Sequence, residues 1–214
     1  MGRWLAVGSR HVGPVIEVPE IAVPEQARLH GRIAVSTIGW RHEWAGLSRR
    51  ELWERCQSVD PEEHVEADNI LCVAGLSLFA AAVLWAGLED VNASLGSPFS
   101  ASYLAPIYGA VGTGTTTPAD TDIGLTAEST NSARQPVISG AIQNASPGNP
   151  AKVAWAFLFG LPLASVTVAE AGIFAQATST VNNGSLLDHA LISPTVTQST
   201  LNLLSATCTI SVGN

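Results

Sequence analysis

Residues 107–125 read IYGAVGTGTTTPADTDIGL. Ile107, Gly109 and Val111 alternate with their neighbours. A period of two marks a half-buried strand, and the Gly, Thr, Pro and Asp cluster that follows marks its turn. A charged region and one long apolar run lie before this stretch. After it comes a nearly uncharged tail of short strand-like segments.

Several motifs accompany that strand and loop in a fixed order. The loop itself follows G-T-G-T-T-x-P-x-x-x-D-x-x-L. Asn69-Ile70-Leu71 is followed by Ala74-Gly75-Leu76. Glu170-Ala171-Gly172-Ile173-Phe174 comes later, then Gly184-Ser185-Leu186-Leu187 with Ala190, then Thr207-Cys208-Thr209-Ile210-Ser211-Val212. In this order they resemble a small β-domain recurrent in structural proteins of tailed bacteriophages: tail-fibre, baseplate and minor tail components. The resemblance covers roughly residues 69–214. Two positions depart from it: Asp188-His189 stands where a basic residue is common, and Cys208 stands among polar or aromatic strand residues.

The chain has 214 residues, a length that suits one domain with an appendage and allows a sizeable core. The net charge of −8 speaks against a phosphate-backbone binder, and no nucleic-acid partner is expected. The charges are uneven. Residues 1–68 carry eight Arg and eleven acids, whereas residues 69–214 carry only Arg134 and Lys152 against seven acids. Ser, Thr, Asn and Gly therefore cover the second part, as suits a protein packed among copies of itself. Cys56, Cys72 and Cys208 are odd in number and widely spaced, so neither a disulfide framework nor a zinc site is signalled. The N-terminus lacks the sustained apolar core of a secretory signal.

Residues 1–27 read as an extended arm. Pro14, Pro19 and Pro24 recur every five residues around β-prone pieces, which suits an edge strand or polyproline-like segment and not a central strand. Residues 28–68 form a charged segment. Leu29 to Trp44 has strand alternation, with Ile33 and Val35 on one face. Ser48 with Glu51 is a capping-box pattern, so a short helix over 47–57 is expected, with a strand over 52–59 as the alternative. Glu62, Glu63, Glu66 and Asp68, with His64 among them, read as a solvated acidic turn before a helix.

Residues 70–88, ILCVAGLSLFAAAVLWAGL, have only Ser77 as a polar residue. Their length fits a membrane span. The acidic flanks and the stripe of Val73/Ala74, Leu78, Ala81 and Trp85 favour a buried helix on a sheet. Beyond the Gly-Thr loop, strands are expected over 134–143, 152–161, 168–174, 186–192 and 201–212. Asn182-Asn183-Gly184 is a hairpin turn, and Ser193-Pro194 interrupts the strand after it.

No cofactor, metal or catalytic set is signalled. The loop lacks the Gly-Lys-Ser/Thr of a phosphate loop, and Asp120 and Asp122 suit local bonds to backbone donors. Glu170 is an acid in an apolar strand, and buried acids need partners. Arg134 is the only Arg after residue 55, so a Glu170–Arg134 ion pair is the specific expectation, with an exposed Glu170 as its alternative. Trp40, Trp44, Tyr103 and Tyr108 are candidate contacts for a host surface glycan or other receptor.

The expected fold is mainly β: an antiparallel β-sandwich over 69–214, with one buried helix at 70–88 and the N-terminal arm. The resemblance implies a non-enzymatic virion protein, assembled in the bacterial cytoplasm. It would sit at the tail tip, baseplate or fibre attachment, in several copies, beside neighbouring virion proteins. A capsid surface decoration protein, a carbohydrate- or receptor-binding module and a membrane-anchored protein using 70–88 are the alternatives.

Overall fold

The computed structural model describes residues 29–73, 75, 107–143, 151–175, 177–181 and 183–212. The N-terminal arm expected over 1–27 lies outside them, as do Tyr103 and residues 76–88 of the expected helix.

The described residues are mainly β. The strands in order are β1 (Leu29–Gly39), β2 (Glu63–Leu71), β3 (Tyr108–Gly112), β4 (Gln135–Pro136), β5 (Ser139–Gln143), β6 (Ala151–Phe159), β7 (Val166–Ala175), β8 (Ser185–Gln198) and β9 (Asn202–Val212). A 3-10 turn (His42–Trp44) and helix α1 (Arg49–Cys56) lie between β1 and β2. Every pairing is antiparallel, in the order β4-β3-β7-β8-β2-β1-β9-β6-β5. The sheet curls into a half-barrel. The strands expected to divide between two stacked sheets are thus hydrogen-bonded into one. Alternation shows which side of a strand is buried, but it does not say which strand lies beside it.

One extended segment brings the two ends of this sheet together. β4 pairs with β3 and β5 pairs with β6, yet only Val137 and Ile138 separate them in sequence. Val137 N–H donates to Ile107 O at 3.1 Å, and Ile138 N–H donates to Ala156 O at 2.9 Å. The strand expected over 134–143 is therefore split at Val137 and Ile138, its first part paired with β3 and its second with β6. On the other side, β2 and β8 pair only through Asn69–Leu71 with Asp188–Ala190. Farther along, Thr197 N–H donates to the Glu63 carboxylate at 2.9 Å, which spans the gap with a side chain.

The concave side holds the main core: Ile33, Val35, Val111, Phe157, Phe159, Ala171, Ile173, Leu187, Ile192, Leu204 and Cys208, among others. These side chains come from six strands and keep the alternation of strand periodicity except at the register shifts between β7 and β8, the second of which turns Leu187 inward beside Asp188. A cavity of about 10 Å³ remains between Phe157, Phe159, Ile173 and Cys208. A register shift between Val168 and Glu170 turns the next residues of β7 over. Val168 and Ala171 therefore both face the core, and Glu170 faces out. β8 continues through Pro194 where an interruption was expected, because no ladder bond is required of Pro194 inside that irregularity.

Two other expectations change. The acid run is strand, not turn: in β2, Val65 is buried while Glu63, His64, Glu66 and Asp68 stay exposed. Arg32 on β1 pairs across to Glu66 at 2.9 Å and approaches Asp68 at 3.8 Å. Cross-strand charge complementarity gave these acids a partner that a local reading does not see. Ile70 and Leu71, the expected first residues of the helix, close β2. Among the described residues no helix is long and apolar enough to cross a membrane.

Candidate functional site

The convex side of β7 and β8 carries a buried polar cluster under the Gly-Thr loop. Glu170 on β7 and His189 on β8 are diagonal neighbours, because Gly172 stands opposite His189 and Leu191 opposite Glu170. Both are buried. Residues 113–128 fold back over them. Thr113 N–H donates to Ala127 O and Ser129 N–H donates to Val111 O, both at 2.9 Å, so the loop closes as a short ladder.

Glu170 organises this loop. Its Oε1 accepts from Gly114 N–H at 3.1 Å and Ala127 N–H at 2.7 Å. Its Oε2 accepts from Thr126 N–H at 2.9 Å and lies 3.1 Å from His189 Nε2. Three loop amides, which have no ladder partner in the turn, thus converge on one carboxylate. This explains the two glycines of the Gly-Thr-Gly motif. A Cβ at Gly114 would stand 2.6 Å from Glu170 Oε1, and one at Gly112 would stand 2.6 Å from Ala127 O as well as against the carboxylate. Burial pushes the Glu170 carboxyl up, but the His189 bond and the three amides outweigh it, and the net shift is down.

His189 is held from its other side by the loop. Its Nδ1 lies 2.7 Å from Asp122 Oδ2, which also accepts from Ala119 N–H at 2.9 Å. Asp122 thus makes the local backbone bond expected of it and a second, distant one. Burial pulls the His189 pKa down, while the bonds to Glu170 and Asp122 raise it more, so the ring is a stronger base than a free histidine. Leu125 packs beneath the loop with Cys72, Ala110, Phe174 and Leu186. Burial and the nearby Asp188, Asp122 and Asp120 push the Cys72 thiol up to about 12.

The expected Arg134–Glu170 pair is replaced by two separate ones. Arg134 is buried, but its guanidinium pairs with both oxygens of Glu128, Nη2 to Oε2 at 2.7 Å. It also donates to Asn183 O and lies 3.7 Å over the Phe174 ring. Glu128 comes from the end of the same loop, only six residues away, and His189 takes the place foreseen for Arg134. The strand Leu186 to Ile192 carries two adjacent polar residues, Asp188 and His189, in otherwise apolar sequence. That pair, next to Glu170 across the hairpin, was the available signal.

Asp188 points the opposite way, into the half-barrel. It accepts from Asn69 Nδ2 and from the Cys208 thiol at 3.0 Å. Burial raises its pKa to about 7, a rise limited by the Cys208 bond, the His189 backbone and charge, and Asn69. Cys208 is pushed well up by burial and by the Asp188 charge.

Among the described residues, the aromatic candidates Trp40, Trp44 and Tyr108 do not form a common surface. Trp44 is buried in the cluster of Ile38, Cys56, Leu158 and Leu203, which removes it as a receptor contact. Trp40 is half-buried and packs edge-on to Trp44, with ring centroids 6.2 Å apart. Tyr108 is half-buried against the Cys72 and Phe174 cluster, on another part of the molecule. Among the described residues no three His, Cys, Asp or Glu side chains are grouped to hold a metal ion.

No family model, curated protein or solved structure matches the chain.

Proposed function

We propose that this chain is a non-enzymatic structural protein of a tailed-bacteriophage virion. Its place is the tail tip, baseplate or fibre attachment, where several copies assemble. The resemblance of its motifs supplies the class. One observation carries the reading further: the motif residues spend their chemistry inside the domain. Gly112, Gly114, Asp122, Leu125, Glu170 and Gly172 belong to one construction that pins a loop to a sheet. Both oxygens of Glu170 are engaged by loop amides and His189. A motif spent in this way is a folding device and supports a scaffold.

Trp44, being core, takes nothing to a glycan, so the receptor-binding alternative loses one of its four candidates.

Gold-tagged antibody raised against residues 137–214, applied to purified particles, tests the proposal. Label at the tail end is expected. Label distributed over the head would make the chain a capsid decoration protein. Intact virions without label would overturn the virion reading.

A further inference from the structure

His189 presents both ring nitrogens to carboxylates, Nδ1 to Asp122 at 2.7 Å and Nε2 to Glu170 at 3.1 Å. A neutral imidazole has one N–H and one lone pair, so it serves one of these oxygens and repels the other. Only the imidazolium donates to both. The two carboxylates are not equivalent. Glu170 is fully buried and holds three loop amides, whereas the Asp122 side chain is 30% exposed and has water within reach.

We propose that residues 113–128 form a two-part clasp on β7 and β8, whose outer part, residues 119–123, stays shut only while His189 carries both ring protons. When the ring loses one proton, the remaining N–H stays on Nε2, facing the carboxylate that cannot leave. The Nδ1 lone pair then faces Asp122, which turns to water. Ala119 N–H loses its acceptor. The bond from Val73 N–H to Asp120 O, 2.8 Å, goes with it and frees the chain just after β2. The base of the clasp does not move, because Gly114, Thr126 and Ala127 remain bound to Glu170.

The groups around the ring fit this assignment. Asp122 and the exposed Asp120 come from the loop, Glu170 from β7, and Asp188 from β8 on the opposite face. The Cys72 thiol after β2 stays neutral through this range. The surroundings are thus acidic on every side, and they favour the imidazolium. Ile123, 90% exposed at the tip of the outer part, contributes no packing that would hold the clasp shut by itself.

Amide hydrogen exchange followed by NMR between pH 6 and 9.5, with the His189 ring nitrogen shifts recorded alongside, tests the clasp. Protection of Val73 and Ala119 is expected to fall by about tenfold per pH unit from 6.5, the ordinary histidine value, up to the raised pKa of His189 in the shut clasp, and to level off above it, while Thr126 and Ala127 keep theirs. The high-pH ring is expected to carry its proton on Nε2. In Asp122→Asn the side-chain amide either donates to Nδ1 or accepts from it, so protection is expected to become independent of pH. Constant protection of Val73 and Ala119 in the wild-type protein would overturn the proposal. So would loss at Thr126 and Ala127 in step with them, or pH dependence that survives in Asp122→Asn.

Discussion

Among the described residues two segments cover the convex side of the sheet, and they are built from opposite chemistry. Residues 40–59 lie on β1, β9 and β6 through apolar contact: Trp44 and Cys56 pack on Ile38, Leu158 and Leu203, with Leu47, Leu52, Trp53 and Val59 around them. Residues 113–128 lie on β7 and β8 mainly through charge and amide bonds, with Leu125 as the buried apolar residue among them. Apolar packing is non-directional and tolerates change of shape. A buried carboxylate that collects three amides and an imidazole tolerates almost none. Sequence constraint should therefore be loose over 40–59 and strict over 112–126, and it is the second stretch that carries the family-like motif.

Glu170→Ala should break the polar cover with the largest effect. It strands three loop amides and leaves the His189 ring without its buried counter-charge. Removing one partner of a buried pair costs about 3–5 kcal/mol, read as a lowered urea midpoint. A change under about 1 kcal/mol would mean that water replaces the carboxylate and that the loop is not anchored there. Trp44→Ala is the matching cut in the apolar cover. Large aromatic truncations cost about 3–5 kcal/mol, and this one should fall near the low end, since the half-buried Trp40 beside it offers a way for the site to collapse. The two variants differ in kind: the loss in Trp44→Ala should be the same at pH 6 and pH 8.5.

pH sharpens the contrast further. Asp188 has its folded pKa raised by burial to about 7 from its ordinary value of 3.8, so between these values the folded state binds more protons than the unfolded chain. Its contribution is full below the lower value and is lost as pH rises through the upper one. His189, also raised, loses its contribution as pH climbs above 6.5. Glu170, lowered from 4.5, acts oppositely: its contribution is present above that value and disappears as pH falls through its folded pKa. Stability should therefore peak on the mildly acidic side and decline toward pH 8.5. Urea midpoints measured across this range should show the decline flatten between pH 4 and 7 in Asp188→Asn. An unchanged slope there would move the effect from Asp188 to other groups.

What the sequence disclosed follows the same division. Strand positions on the core side, such as Ile33 and Val35 on β1 or Phe157 and Phe159 on β6, were legible because burial imposes a period of two. The α1 cap was legible because its partners are three residues apart. The positive φ of Gly184, 84°, was legible from Asn-Asn-Gly. Long-range polar partners were not. Glu170 announced that it needed one, but the choice between Arg134 and His189 depends on a register shift in β7 that leaves no local trace. The acids of β2 carry no local sign of being strand either, since their partner Arg32 lies more than thirty residues away. A continuous sheet in place of a sandwich also depends on pairing, most of all on the change of partner at Val137 and Ile138.

The smallest effect belongs to the start of α1. Ser48 Oγ accepts from Glu51 N–H at 3.3 Å, and Glu51 answers by accepting from Ser48 N–H at 2.8 Å and from its hydroxyl at 2.6 Å. These bonds lower the Glu51 pKa, with the hydroxyl first. Both residues are exposed, so water stands ready to replace each bond. Ser48→Ala should cost about 1 kcal/mol, the usual worth of an N-cap. Yet α1 also anchors the cover from its first turn: Arg49 Nη2 donates to Pro136 O at 2.6 Å and to Leu158 O at 3.3 Å, where the sheet's two ends meet. If the cap serves only the helix, circular dichroism of Ser48→Ala should show a small local loss and the urea midpoint should move little. A drop as large as that of Trp44→Ala would show that the apolar cover depends on a few directional bonds after all, and the contrast between the two covers would fail.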